Sequence, residues 1–265
     1  MLYHLGTEHR KVLLFFDIIG FSSLVERNDA FDANDGKPHD IALMFPVFYE
    51  NMVNLRFSND YQEERKIKFL WMSDSIVIST NVNNANILIE ELIYLQNQFY
   101  CGEMAFRGAI CIGNLFHQGN VWGEPLVRAA HLEKNKAQNP RIIVSKDELI
   151  QLELPMRYLQ YFEQDEKNTE FYSFDPFKPN IEMLLANETK IIHSTISVYK
   201  KMILNNYNTA PDYKDKSKWT WMAKKLVESI RVKEEDLRMR LNTESKHGKL
   251  KCNLDDYLTE LCSIC

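Results

Sequence analysis

The chain has 265 residues, 45% hydrophobic and 12% aromatic, and its 32 Lys and Arg against 37 Asp and Glu give a formal net charge of −5. That is enough apolar material for a substantial core, and an acidic balance without a basic tract argues against a nucleic-acid scaffold. No apolar run approaches the roughly 20 residues that span a bilayer, and the opening MLYHLG lacks the basic-then-apolar layout of a signal peptide, so the expectation is a cytoplasmic protein with neither membrane nor nucleic acid as a partner.

Residues 11–18, KVLLFFDI, form a continuous apolar run that ends in an acid. This is the pattern of a central strand buried on both faces. Gly20 and Ser22 follow with turn and N-cap chemistry. Residues 30–37, rich in Asn, Asp and Gly, read as a loop, and 41–55 carry apolar residues at helical spacing. Residues 67–74 and 75–79 are two short strands about a tight turn that holds Asp74. A second amphipathic helix is predicted over 85–100, and a third major strand over 106–112 with Gly113 after it. Residues 120–123 read as a turn, 124–134 as a helix and 141–145 as another short strand.

The predicted order is therefore β-α-β-β-α-β followed by further elements, the ferredoxin-like arrangement of an α+β fold. In such a sheet the first strand and the 67–79 hairpin can lie side by side, which would bring Asp17 and Asp74 together. Beyond Pro179 the pattern becomes purely helical over 180–208, 217–242 and 253–264. A polar linker at 205–218 contains Pro211. Two domains are expected: 1–179, and a helical C-terminal extension at 180–265 whose default role is to cover an exposed sheet edge.

Five cysteines, Cys101, Cys111, Cys252, Cys262 and Cys265, are odd in number and scattered, so no disulfide framework is expected. The CxxC at Cys262 and Cys265 has no second CxxC to complete a metal site. The charged stretch at 233–240 reads as a solvated helix face with i,i+4 pairing.

A strand ending in Asp17 and a hairpin carrying Asp74 form a way of setting two carboxylates on one pair of divalent metals. Carboxylates suit hard cations such as Mn²⁺ or Mg²⁺, whose remaining ligands are phosphate oxygens and water. Two such ions can activate an attacking oxygen and stabilise the leaving one. The backbone amides of Ile19, Gly20, Phe21 and Ser22, opening a helix, could cradle phosphates. Taken singly, Asp17 is better explained as a helix cap and Asp74 as an ordinary turn residue.

Three segments taken together resemble a known family. FFDIIGFS at 15–22 resembles the metal-binding opening of class III nucleotide cyclases. MSDS at 72–75 resembles their second metal motif, with Ser73 where Gly is usual. RGAICIG at 107–113, followed by WGEPLVRAAHLE at 122–133, resembles their later strand and helix. The resemblance covers about residues 11–175. It implies a class III cyclase catalytic core, a head-to-tail homodimer with active sites at the interface, and two metal ions per site bound by Asp17, Asp74 and the carbonyl of Ile18. It also implies attack of the substrate 3′-hydroxyl on its own α-phosphate, with catalysis by positioning and charge stabilisation.

The chain departs from that family's pattern around the base. A base-reading Lys is common four residues before the second metal acid, where this chain has Leu70. An acid is common two residues before the Trp-Gly pair, where this chain has Asn120, able to donate and accept. The family's transition-state Asn and Arg fall at Val127 and His131. Arg128, one residue after the first of these, is the candidate to take over charge stabilisation, and Lys167 is a weaker candidate for the triphosphate. With the purine code absent and both metal acids present, the sequence looks like the bacterial pyrimidine cyclases of Pycsar antiphage signalling. The implied substrate is UTP, favoured over CTP, and the implied downstream partner is an effector that responds to the cyclic product. The alternatives are an adenylyl or guanylyl cyclase with an atypical base pocket, a catalytically inactive cyclase-like module that binds a nucleotide or a protein, and another palm-like enzyme, for which no GG[DE]EF-like signature is present.

Overall fold

The computed structural model describes residues 10–21, 49–165, 168–187, 192–246 and 254–265. They fall into two compact units. The first holds the described residues up to Glu90 together with Phe106–Ala137 and Ile142–Leu154; the second holds Glu91–Ala105, Gln138–Arg141 and the residues from Pro155 onward. The fold is α+β, as the sequence predicts.

The first unit is built on β1 (Arg10–Ile18), whose residues Val12 to Phe16 are all buried. A strand apolar at every position has no solvent face and belongs at the centre of a sheet. It pairs antiparallel with β3 (Ser75–Asn81) on one side and with β4 (Phe106–Gln118) on the other. β2 (Ile67–Met72) pairs antiparallel with β3, and β6 (Ile142–Ser145) lies parallel to β4, giving the order β2-β3-β1-β4-β6. Between β1 and β2 lie a π-helical stretch at Asn51–Arg56 and α1 (Asn59–Arg65); between β3 and β4 runs α2 (Ala85–Cys101). Each crossover skips one strand, so β3 sits between β1 and β2, and β1 between β3 and β4. That interleaving is the ferredoxin-like arrangement.

Several local expectations are corrected. Residues 120–123 are not a turn: they form β5 (Asn120–Gly123), paired with β4. The third strand does not end at residue 112 but continues to Gln118, and the hairpin turns instead at Gly119, whose φ of 74° suits a residue without Cβ. Helix α1 escaped the sequence pattern because it buries no residue and rests on capping, Ser58 Oγ accepting from the Tyr61 amide. The helix expected over 41–55 is described only from residue 49 on, and Ser22, Lys167, Cys252 and the 30–37 loop lie outside the described residues.

In the second unit, β7 (Phe162–Gln164) and β8 (Phe171–Phe174) form an antiparallel hairpin. After α4 (Lys146–Gln151) of the first unit and α5 (Met156–Leu159) of the second, helices α6 (Lys178–Ala186), α7 (Ile192–Thr209), α8 (Tyr213–Val232), α9 (Glu234–Lys246) and α10 (Leu254–Cys262) follow. Tyr100, Phe177, Tyr199, Trp219, Leu226 and Leu237 belong to one apolar core. The polar linker predicted at 205–218 is nearly all helix, because α7 runs to Thr209 and the Asp212 carboxylate accepts the Asp215 amide at 2.8 Å to open α8. On the charged face, Arg238 pairs with Glu234 one turn back and with Asp255 of α10. Among the described residues, no helix is long and apolar enough to cross a membrane.

Candidate active site

Side chains alternate faces along a strand, and register partners share a face. On one face of the sheet a row of partners runs Met72, Ser75, Asp17, Arg107 across β2, β3, β1 and β4. Asp74 follows in the two-residue loop between β2 and β3, and its carbonyl accepts the Ile18 amide at 2.9 Å. Asp17 and Asp74 are thus brought together at one end of the sheet, as the strand order implied. The loop is held by the Trp71 indole N–H, which donates to the Ser73 carbonyl at 2.7 Å. Ser73 itself adopts φ 56°. That conformation favours glycine, so this non-glycine residue is strained there.

The Ser75 hydroxyl donates to Asp17 Oδ1 at 2.5 Å, fixing the carboxylate while Asp17 remains only half-buried. Burial raises the Asp17 pKa above the usual carboxylate range. The Ser75 bond opposes the rise, the charge of Asp74 adds to it, and Arg107 opposes it. A second pair, undetected in the sequence, stands beside the acids: the Arg107 guanidinium bonds the Glu133 carboxylate from helix α3 (Glu124–Asn135). Burial also raises the Glu133 pKa, lowered in part by Arg107 and raised further by Asp17 and Asp74. Its signal was present in the sequence: Glu133 falls on the stripe of Ala129 and Leu132 that α3 buries, and a charge on such a stripe requires a partner.

The acids and the Ile18 carbonyl are hard oxygen donors, the chemistry that a Mg²⁺ or Mn²⁺ ion takes. The mutual repulsion of Asp17, Asp74 and Glu133 is what a cation relieves. Among the described residues, no group of three or more His, Cys, Asp or Glu side chains is arranged to hold a metal ion. Ions held by Asp17, Asp74 and the Ile18 carbonyl would take their remaining ligands from substrate and water.

Of the predicted phosphate loop, Ile19 and Gly20 form the turn after β1, and Gly20 has φ 75° with open space about its Cα. Phe21 has helical backbone. Leu70 lies on the acids' face in the adjacent row, with Val77, Phe15 and Ala109. Asn120 is exposed and pairs with Gln118 at the tip of the β4–β5 hairpin, which the register sets toward the opposite end of β4 from Arg107. The structure does not bring Arg128 to the acids of its own chain. Its guanidinium donates to Glu148 at 2.6 Å, to Glu124 at 2.5 Å and to the Ile112 carbonyl at 2.8 Å, well along β4 from Arg107. Nearby, burial and the Glu148 charge push the Cys111 thiol up to about 12, leaving it unreactive. His131 is exposed, with its carbonyl accepting from Asn135.

No family model and no curated protein matches this sequence. Solved structures with a similar arrangement include two of a bacterial light-regulated adenylyl cyclase. One is 12% identical with a TM-score of 0.39, covering 73% of this chain and 56% of that one. The other is 11% identical with a TM-score of 0.42, covering 73% and 57%. An adenylate/guanylate cyclase/hydrolase from Silicibacter pomeroyi is 15% identical with a TM-score of 0.38, covering 62% of this chain and 93% of that one. The chain thus spans a little over half the length of the light-regulated cyclases.

Proposed function

We propose that the protein is a pyrimidine nucleotide cyclase that converts UTP or CTP to its 3′,5′-cyclic monophosphate and pyrophosphate. One observation carries the reading. Two segments far apart in sequence, each resembling a cyclase metal motif, meet where Ile18 bonds Asp74 and Asp17 pairs with Ser75. Residues 1–179 would supply catalysis and 180–265 a helical extension.

Asp17, Asp74 and the Ile18 carbonyl would hold two Mn²⁺ or Mg²⁺ ions, which when bound supply activation of the attacking oxygen and neutralisation of phosphate charge. The chain's own part is positional. Ser75 locks the Asp17 rotamer, and the amides of Ile19, Gly20 and Phe21, with that of Ser22 outside the described residues, would cradle the phosphates. The substrate 3′-oxygen then bonds the α-phosphorus and loses its proton, while the bond from that phosphorus to the pyrophosphate oxygen breaks. Holding both ends of one molecule in line accounts for most of the rate.

In the proposed head-to-tail homodimer, α3 of a second copy would offer Arg128 to the α-phosphate. The Arg128–Glu124 contact is an i,i+4 pair with Glu124 62% exposed, and such pairs are weak enough to exchange for a phosphate. Around the base, Leu70 removes the purine-reading lysine, and Asn120 can serve either pyrimidine through its amide. The product would act in the cytoplasm on an effector in antiphage defence. The test is incubation of the purified chain with ATP, GTP, CTP or UTP and Mn²⁺, with products identified by mass. A cyclic pyrimidine nucleotide, lost in Asp17→Ala and Asp74→Ala chains that still fold, is the expected result; cyclic AMP or GMP would overturn the pyrimidine assignment.

A further inference from the structure

On the same face as Asp17 and Leu70, the next row of partners runs Lys68, Ser79, Leu13, Cys111. Ser79 is 1% exposed, and its Oγ lies 2.8 Å from Nδ1 of His117. β1 separates β3 from β4 in the sheet, so this contact means that the far part of β4, beyond the start of β1, swings across the face. It roofs the strip of sheet beside Leu70 with an imidazole. Lys68 and Lys11 both act on His117 through their charge. Lys11 is spent on the Asn81 side chain, to which it donates. Lys68 is exposed and makes no hydrogen bond or ion pair among the described residues.

We propose that Lys68, with the Ser79–His117 pair, reads the substrate base and selects one carrying a carbonyl rather than an amine at the recognised edge, so that UTP is taken over CTP. The inference rests on the cyclase reading, since it is Leu70 that marks the base end of the site. A lysine ammonium has three donors and no acceptor. At C4, uracil presents an oxygen acceptor, and cytosine presents an amino donor. Lys68 therefore bonds the first and meets only hydrogens on the second.

The Ser79–His117 pair does not discriminate. When Nδ1–H donates to Ser79, Nε2 accepts from the N3–H of uracil. When the serine hydroxyl donates to Nδ1, Nε2–H donates to the bare N3 of cytosine. The Asn120 amide has the same ambivalence, so the cation is what breaks the tie. Burial first, and the two lysines second, push the His117 pKa down to about 4, which keeps the imidazole neutral and able to play either part. Guanine shares uracil's carbonyl-beside-N–H edge, so Lys68 accepts it too.

The experiment measures kcat/KM for the four nucleotides with Mn²⁺ and, separately, their equilibrium affinities with Ca²⁺ in place of Mn²⁺. The wild-type chain should favour UTP over CTP by about tenfold in both, the scale of one misplaced polar pair. Lys68→Met should erase that ratio and Lys68→Arg restore it. His117→Phe should weaken both pyrimidines alike. An unchanged UTP:CTP ratio in Lys68→Met, a wild-type preference for CTP or ATP, or no measurable binding overturns the inference. Equal use of UTP and GTP supports the carbonyl rule and overturns the pyrimidine reading. If no cyclic product forms, the cyclase reading fails, and the binding ratio still decides the role of Lys68.

Discussion

The Ile18 amide donates to the Asp74 carbonyl at 2.9 Å. This bond ties the end of the central strand to the loop of a hairpin and sets the distance between the two carboxylates that flank it. Asp17 is repelled by Asp74, and burial holds its charge at a disadvantage. Asp17→Asn should therefore abolish cyclic product while leaving the melting temperature unchanged or higher, a trade of stability against activity seen at strained sites. Mn²⁺ should raise the melting temperature of the wild-type chain and leave that of Asp17→Asn unmoved. A melting shift of equal size in both would separate Asp17 from metal binding.

Ser73 occupies a left-handed conformation at the first position of the hairpin loop, where glycine is favoured. Ser73→Gly should relieve strain worth about 1 kcal/mol, partly offset by the entropy of the unfolded chain. A small upward shift of the denaturant midpoint, with the slope unchanged, is the expected reading.

Gly108 permits the close approach of β4 to β1. A Cβ there would stand 2.0 Å from the Phe15 carbonyl oxygen and 2.6 Å from Phe16 Cβ. Backbone contacts of that kind cannot be relieved by rotating a side chain. Gly108→Ala should cost about 3 kcal/mol, at the upper end of overpacking penalties, measured by chemical denaturation.

Glu148 is a hub rather than a surface charge. It is 10% exposed at its side chain and accepts from Arg128 at 2.6 Å, from the Ile112 amide at 2.8 Å and from Ser145 Oγ at 2.7 Å. Glu148→Ala would leave the buried Ile112 amide without its carboxylate acceptor and strip the half-buried Arg128 guanidinium of its buried partner, and should destabilise by about 3 kcal/mol. Glu124→Ala, which removes only the exposed pair, should change stability by less than about 0.5 kcal/mol.

His117 has its pKa lowered from 6.5 to about 4 by burial and by Lys68 and Lys11. In the window between those values the unfolded chain binds the proton more readily than the folded one, so this group's contribution to stability is full above pH 6.5 and is lost as pH falls toward 4. His117→Gln should remove that portion of the slope. An identical stability profile between pH 4 and 6.5 in the two chains would contradict a buried neutral imidazole.

Much of the fold is written locally. The unbroken apolar run of β1, the amphipathic pattern of α2 and the acid after Phe16 mark a central strand, a packed helix and a candidate ligand without reference to anything distant. Glu133 was legible as an anomaly on the apolar stripe of α3, but its partner Arg107 was not, because an ion pair between a strand and a helix leaves no periodic trace. The length of β4 was missed for a similar reason. Past Gly113 its residues alternate between buried Leu115 and exposed Asn114 and Phe116, a two-stranded arm that a search for a fully buried strand passes over.

The sequence by itself marked most of the elements, the two acids in segments that resemble metal motifs, and a leucine at position 70 where the resembled family commonly has a base-reading lysine, since each is a matter of residue type and short-range spacing. Only the tertiary structure decided what stands beside them. Strand alternation says which residues share a face of one strand, but the sheet order and register say which strands supply the neighbours. Those long-range pairings line Asp17 up with Ser75 and Arg107, turn Arg128 toward Glu148, and carry His117 over β1 to meet Ser79 beside Lys68.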